Sequence, residues 1–216
     1  MPVPVPVPVA ALYVQGTGAY AALPGVSPWS LDGPAPRDAR AYAGPSPVVA
    51  HPPCAAWGRY AKPTADSTAR GPLRGNDGGC FLAALRAVLE YGGVLEHPRD
   101  SAAWAHHTLP APPSGGGWRE IYAGVFTCAV EQGHYGHAAR KPTWLLYAGA
   151  RPFDLIWGAS PDVQRAGSGR RGVLECLSKR QRAATPAPFV AVLVALARHA
   201  RAGKDYLDIS LTYDSG

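Results

Sequence analysis

The sequence predicts an α/β domain, an open sheet with parallel strands and helices on both faces. Three observations carry that prediction. Val48-Val49-Ala50 is a short apolar run closed by Pro52 and Pro53, which cannot donate ladder hydrogen bonds. A second run, Gly92 to Pro98, repeats the design. Between them Phe81, Leu82, Leu85, Val88 and Leu89 recur at helical spacing. Strand, helix and strand in that order form a βαβ unit, so the two strands should lie parallel.

The totals agree with one domain. At 216 residues and 47% apolar content the chain can build a core, and residues 1–216 are taken as a single unit. The 25 glycines and 23 prolines predict many turns. A net charge of +6 is compatible with a polyanion partner, and equally with a merely basic protein. Cys54, Cys80, Cys128 and Cys176 contain no Cys-x-x-Cys, so a thiolate zinc site is not expected. The sequence shows no signal-peptide pattern and no run judged long enough to span a membrane, and a cytoplasmic protein with free thiols is expected.

Taken in order, residues 1–10 form an extended Pro-Val leader. Ala11 to Val14 reads as a strand, Gln15 to Gly18 as a glycine turn, and Ala19 to Leu23 as a short helix. Such an arrangement brings backbone N–H groups to a ligand, although an ordinary turn fits the residues as well. Residues 24–47 read as loop, with Asp32 and Asp38 suited to a ligand contact or to capping a turn. After Cys54 comes a basic, glycine-rich stretch with Arg59, Lys62, Arg70 and Arg74. Asp77 should cap a helix from Gly79 to Tyr91, and Gly92-Gly93 ends it. Ser101 to Ala105 reads as a helical turn, residues 106–117 as loop, and Trp118 to Gly133 as a helix or strand mixture. Thr143 to Ala148 reads as a strand and Pro188 to Ala202 as a helix. Tyr206 to Leu211 is a last strand candidate with no assigned role.

Two strand ends carry the chemistry. Cys54 follows one strand and Glu96 with His97 ends the next, and the C-terminal edge of such a sheet is where ligands bind. Three readings of Cys54 stand: an inert buried thiol, a metal ligand beside His51 or His97, or a nucleophile. Two prolines holding a thiol at a strand end favour the nucleophile. Glu96, kept protonated by burial, could donate to a ring nitrogen; otherwise it caps the next turn. His134 and His137, three apart, lack a third ligand at suitable spacing, and no metal is expected.

Pro53-Cys54 after one strand and Glu96 after the next resemble the Pro-Cys and Glu-Asn-Val motifs of the DNA (cytosine-5)-methyltransferases. Here Glu96 is followed by His-Pro, and Cys54 by Ala-Ala-Trp. The chain also looks like small phage-encoded relatives that have lost most of the DNA-reading domain. The resemblance implies a Rossmann-like methyltransferase sheet with S-adenosylmethionine as cofactor and DNA as partner, in a host cytoplasm. It implies that Cys54 attacks C6 of cytosine while Glu96 holds N3. By motif order, Gly16, Thr17 and Gly18 stand at the cofactor loop, and Asp38, with Asp32 in reserve, at the adenine. Arg140 matches the arginine of the family's Gln-x-Arg motif, and His137 stands where its glutamine is usual. Residues 150–178 are the only room for target reading. Arg59, Arg165, Arg170, Arg171, Lys179, Arg180 and Arg182 read as phosphate contacts or as ordinary solvated surface charge. A non-catalytic DNA- or protein-binding module and an enzyme acting on a free pyrimidine nucleotide are the alternatives.

Overall fold

The computed structural model describes residues 6–32, 35–68, 71–161 and 177–201. Seven strands form one mixed sheet: β1 (Val9–Leu12), β2 (Val26–Trp29), β3 (Val48–Ala50), β4 (Gly93–Pro98), β5 (Arg119–Tyr122), β6 (Val125–Glu131) and β7 (Pro142–Ala148). Their spatial order is β2-β1-β3-β4-β7-β6-β5. The first four are parallel, and β7, β6 and β5 join by antiparallel pairs. The helices are α1 (Cys80–Tyr91), α2 (Ala102–His106), α3 (Lys179–Ala183) and α4 (Ala187–Arg201).

Period-two alternation divides the core between the two faces. Val9, Ala11, Val49 and Val94 face one side, where α4 buries Phe189, Leu193 and Leu196. Ala10, Leu12, Val48, Ala50 and Leu95 face the other, where α1 buries Phe81, Leu85 and Val88 beside Trp57 and Trp104. Each fully buried Leu or Phe contributes about 1.5–3 kcal/mol. Asp77 anchors the start of α1, its carboxylate accepting from the N–H groups of Gly79 and Phe81 at 2.9 and 2.8 Å and from Trp57 Nε1 at 2.8 Å. The βαβ unit therefore forms as its pattern implies, with β3 and β4 parallel.

Several elements differ from expectation. The first strand is Val9–Leu12, two residues earlier than read, because Val9 and Ala10 of the Pro-Val leader pair with β2 and β3. The segment expected as loop contains β2, an edge strand whose sequence Val-Ser-Pro-Trp has no alternating burial. Ala19 to Leu23 forms successive turns instead of a helix, with Ala21 N–H donating to Gly18 O and Leu23 N–H to Tyr20 O. The mixture at Trp118 to Gly133 resolves into the β5–β6 hairpin. A helical stretch, Arg180–Ala200, is long and apolar enough to cross a membrane by composition alone, with hydropathy 1.3, contrary to the expected absence of such a run. It breaks into α3 and α4, and the apolar residues of α4 pack on the sheet. The strand candidate Tyr206 to Leu211 lies outside the described residues.

Candidate functional site

The strand order reverses beside β1. The chain leaves β1 for β2 on one side and returns for β3 on the other. Such a switch point leaves a crevice at the carboxyl ends of the strands, because the connections diverge to opposite faces. A cleft of about 910 Å³ occupies this place. One wall is Tyr13 to Gln15 with Gly18 to Tyr20, after β1, and the floor is His51 to Cys54 with Glu96 to Pro98. Lys141, Arg180, Arg182 and Thr185 close the far side.

Cys54 and Glu96 thus meet in one cleft, as their matching strand ends imply. Cys54 is exposed. Its thiol is pushed above the ordinary cysteine value, by desolvation first and then by the Glu96 carboxylate, while Lys141 pulls it down. Glu96 is buried, with His51 Nδ1 at 2.8 Å from Oε2 and Gln132 Nε2 donating to Oε1 at 3.1 Å. Burial alone would raise its pKa, but the His51 hydrogen bond and the charges of His51 and Lys141 outweigh it and hold the group below the ordinary range. The expectation of a carboxyl kept protonated by burial is therefore corrected: Glu96 stands ionised.

The contacts continue outward. Tyr20 Oη lies 2.6 Å from His51 Nε2, and Gln132 Nε2 also donates to Thr143 Oγ1 at 3.0 Å. His97 points to the other face of β4, where Nδ1 meets Ser101 Oγ at 2.7 Å among Phe81 and Trp104. Desolvation lowers its pKa to about 4, so it is neutral near pH 7.

Arg140 is exposed and lies outside the cleft lining, and Lys141 holds the place expected of it. The reason is local. Gln132 N–H donates to Lys141 O and closes the β6–β7 connection, and Lys141 adopts a φ of 45°. Lys141 Nζ donates to the carbonyls of Ala183 and Ala184 at 3.2 and 2.7 Å, tying the C-terminal end of α3 across the cleft. Burial lowers the Lys141 ammonium, while Glu96 and Cys54 pull it back up. Gln132, not His137, is the glutamine beside Glu96; His137 bonds Ala139 O and Gln181 O.

The residues expected around S-adenosylmethionine do not converge. Gly18 lines the cleft, but Gly16 and Thr17 do not. The Gly16 N–H donates to Asp32 Oδ1 at 3.1 Å, and no helix follows the glycine turn to aim N–H groups at a ligand. Asp38 caps the turn Ala39–Ala41 and pairs with Arg40 at 2.6 Å. Neither acid lines the cleft, so these residues do not fit the cofactor role assigned to them.

Of the basic residues, Arg180 and Arg182 line the cleft. Arg59 lies over the Tyr60 ring, 4.8 Å being the matching distance for Arg37 over Trp29 and 4.7 Å its own. Lys179 opens α3, and Arg165, Arg170 and Arg171 lie outside the described residues. Among the described residues no group of three or more His, Cys, Asp or Glu is placed to hold a metal ion. Tyr20, Gln132 and Lys141 escaped the sequence reading, and His51 entered it only as a metal-ligand partner for Cys54; the one available signal was position: His51 and Gln132 each directly follow an apolar strand. No protein-family model matches this chain, and no curated protein or solved structure matches it.

Proposed function

We propose that the cleft activates a pyrimidine base by adding Cys54 to C6, the chemistry of cytosine-C5 methyltransferases, on a DNA substrate. The observation that carries this reading is the meeting of an exposed thiol and a buried, hydrogen-bonded carboxylate at the tips of adjacent parallel strands. In the addition, the S–C6 bond forms, the C5–C6 π pair shifts toward C5, and N3 takes up a proton. Glu96 serves N3, where charge develops, and the Lys141 ammonium favours the thiolate of Cys54. Arg180 and Arg182 on the cleft rim suit phosphate contact. A base in duplex DNA would have to leave the stack to reach Cys54.

The test needs no methyl donor. Once sulfur is on C6, C5 gains a deuteron from D2O; loss of its original proton and then of the thiolate returns the base labelled. Cytosine-containing DNA, or a free cytidine nucleotide, should exchange its C5 hydrogen with the wild-type protein and not with Cys54→Ala. No exchange in either substrate overturns the reading. Calorimetry with S-adenosylmethionine then asks whether the electrophile is a methyl group. Asp38→Ala should leave any such binding unchanged, because Arg40 engages that carboxylate.

A non-catalytic module that binds DNA or a protein is the second reading. It is favoured by the direction of the Cys54 shift, since a ready nucleophile has its thiol pushed down and this one is pushed up.

A further inference from the structure

We infer that His51 is the proton source through which Glu96 serves the base, with Tyr20 holding the imidazole in place. This role rests on the pyrimidine reading above. An ionised Glu96 has no proton to give, and N3 of cytosine is itself an acceptor, so the two repel until a proton enters the pair. The groups facing Glu96 and His51 are few. Gln132 offers only an amide N–H, 3.1 Å from Oε1. Lys141 directs Nζ to the carbonyls of Ala183 and Ala184. His97 stands on the opposite face of β4, bonded to Ser101 and neutral. Cys54 shares the cleft but attacks as a thiolate whose proton has already gone to solvent, so it has none left to give N3.

Among the described residues His51 alone joins Glu96 through an ionisable hydrogen bond, 2.8 Å from Nδ1 to Oε2. Its other nitrogen meets Tyr20 Oη at 2.6 Å, and Tyr20 is buried with its hydroxyl held far above the ordinary range by desolvation, so it remains a phenol. The proton passes from Nδ1 of the imidazolium to Oε2, and from Glu96 to N3 as the S–C6 bond forms. The imidazole is left neutral and regains its proton when the adduct collapses. His51 acts through Glu96 and is a positioning residue, not a catalytic one.

The experiment follows C5 exchange against pH in wild type, His51→Gln and Tyr20→Phe. Wild type should show a rate that rises with thiolate formation and falls once the proton held between His51 and Glu96 is lost. His51→Gln should be about 100-fold slower near neutrality, the scale of general acid catalysis. Its deficit should shrink toward acid pH, where solvent protonates Glu96 directly. A deficit equal at every pH, or none, overturns the role. Should His51→Gln fail to fold, Tyr20→Phe decides: the alkaline limb moves to lower pH if the role is right, and an unmoved limb overturns it. No exchange by wild type overturns the pyrimidine reading itself, and this role with it, whereas full-rate exchange by His51→Gln overturns only the role of His51.

Discussion

His51 and Glu96 sit at the tips of adjacent parallel strands with 2.8 Å between Nδ1 and Oε2, and the pair holds a buried carboxylate in its charged form. The consequence for stability has a definite sign. A carboxyl whose folded pKa lies below its unfolded value stabilises the fold above the unfolded value. That stabilisation is lost as pH falls through the folded pKa. Wild type should therefore lose stability in denaturant titrations as pH drops below the ordinary glutamate value of 4.5. Glu96→Gln should lose less over the same interval. Equal slopes for the two proteins would contradict the ionised Glu96.

Cys54 is exposed yet raised in pKa, by desolvation and then by Glu96. Alkylation by iodoacetamide, followed by peptide mass spectrometry, should be slow at neutral pH and accelerate in alkali. Glu96→Gln should speed it by removing the neighbouring negative charge, and Lys141→Ala should slow it. Cys128, buried and pushed up by desolvation, should stay unmodified until the protein unfolds.

Lys141 and Arg140 are neighbours with opposite expectations. Lys141→Ala removes two charge-assisted hydrogen bonds to the C-terminal end of α3 and should cost about 2 kcal/mol. Hydrogen exchange of the backbone around Ala183 and Ala184 should quicken in that variant. Arg140→Ala, at an exposed position outside the cleft, should leave both stability and C5 exchange near wild type.

Arg180 and Arg182 line the cleft, so their charge reversal should weaken DNA binding across sequences. Each lost phosphate contact should flatten the slope of log affinity against log salt by about 0.9 on duplex DNA. A salt-insensitive interaction would speak for a protein partner.

Gly93 opens β4 with a φ of +124°, and a Cβ there would lie 2.0 Å from Val48 O. Gly93→Ala should destabilise by more than about 3 kcal/mol, through backbone clash and strain together. Thermal unfolding would show it, and an unchanged melting temperature would contradict the β3–β4 register.

Much of the fold was legible because local patterns and tertiary packing agree. The apolar run Val48–Ala50, the helical periodicity of Phe81, Leu85 and Val88, and the run ending at Pro98 each name their own element. β2 was not legible, since Val-Ser-Pro-Trp is an edge strand with intermediate burial throughout. The turns after Gly18 read as helix because alanine-rich segments favour it, whereas the chain there closes i to i+3 turns, Ala21 N–H on Gly18 O and Leu23 N–H on Tyr20 O.

The site divides in the same way. Sequence alone placed Cys54 and Glu96 at strand ends, because proline stops a strand wherever it occurs and the βαβ unit makes those strands parallel. Only the tertiary structure could choose their partners. Tyr20 meets His51 across 31 positions, His51 meets Glu96 across 45 and Gln132 meets Glu96 across 36. Those meetings depend on the order β1-β3-β4-β7, whereas the local turn at Lys141, with its φ of 45° and its carbonyl accepting from Gln132 N–H, put Lys141 instead of Arg140 in the cleft. The charge of Glu96 was decided there too: burial, which sequence suggests, would neutralise it, and neighbours that only folding assembles keep it ionised.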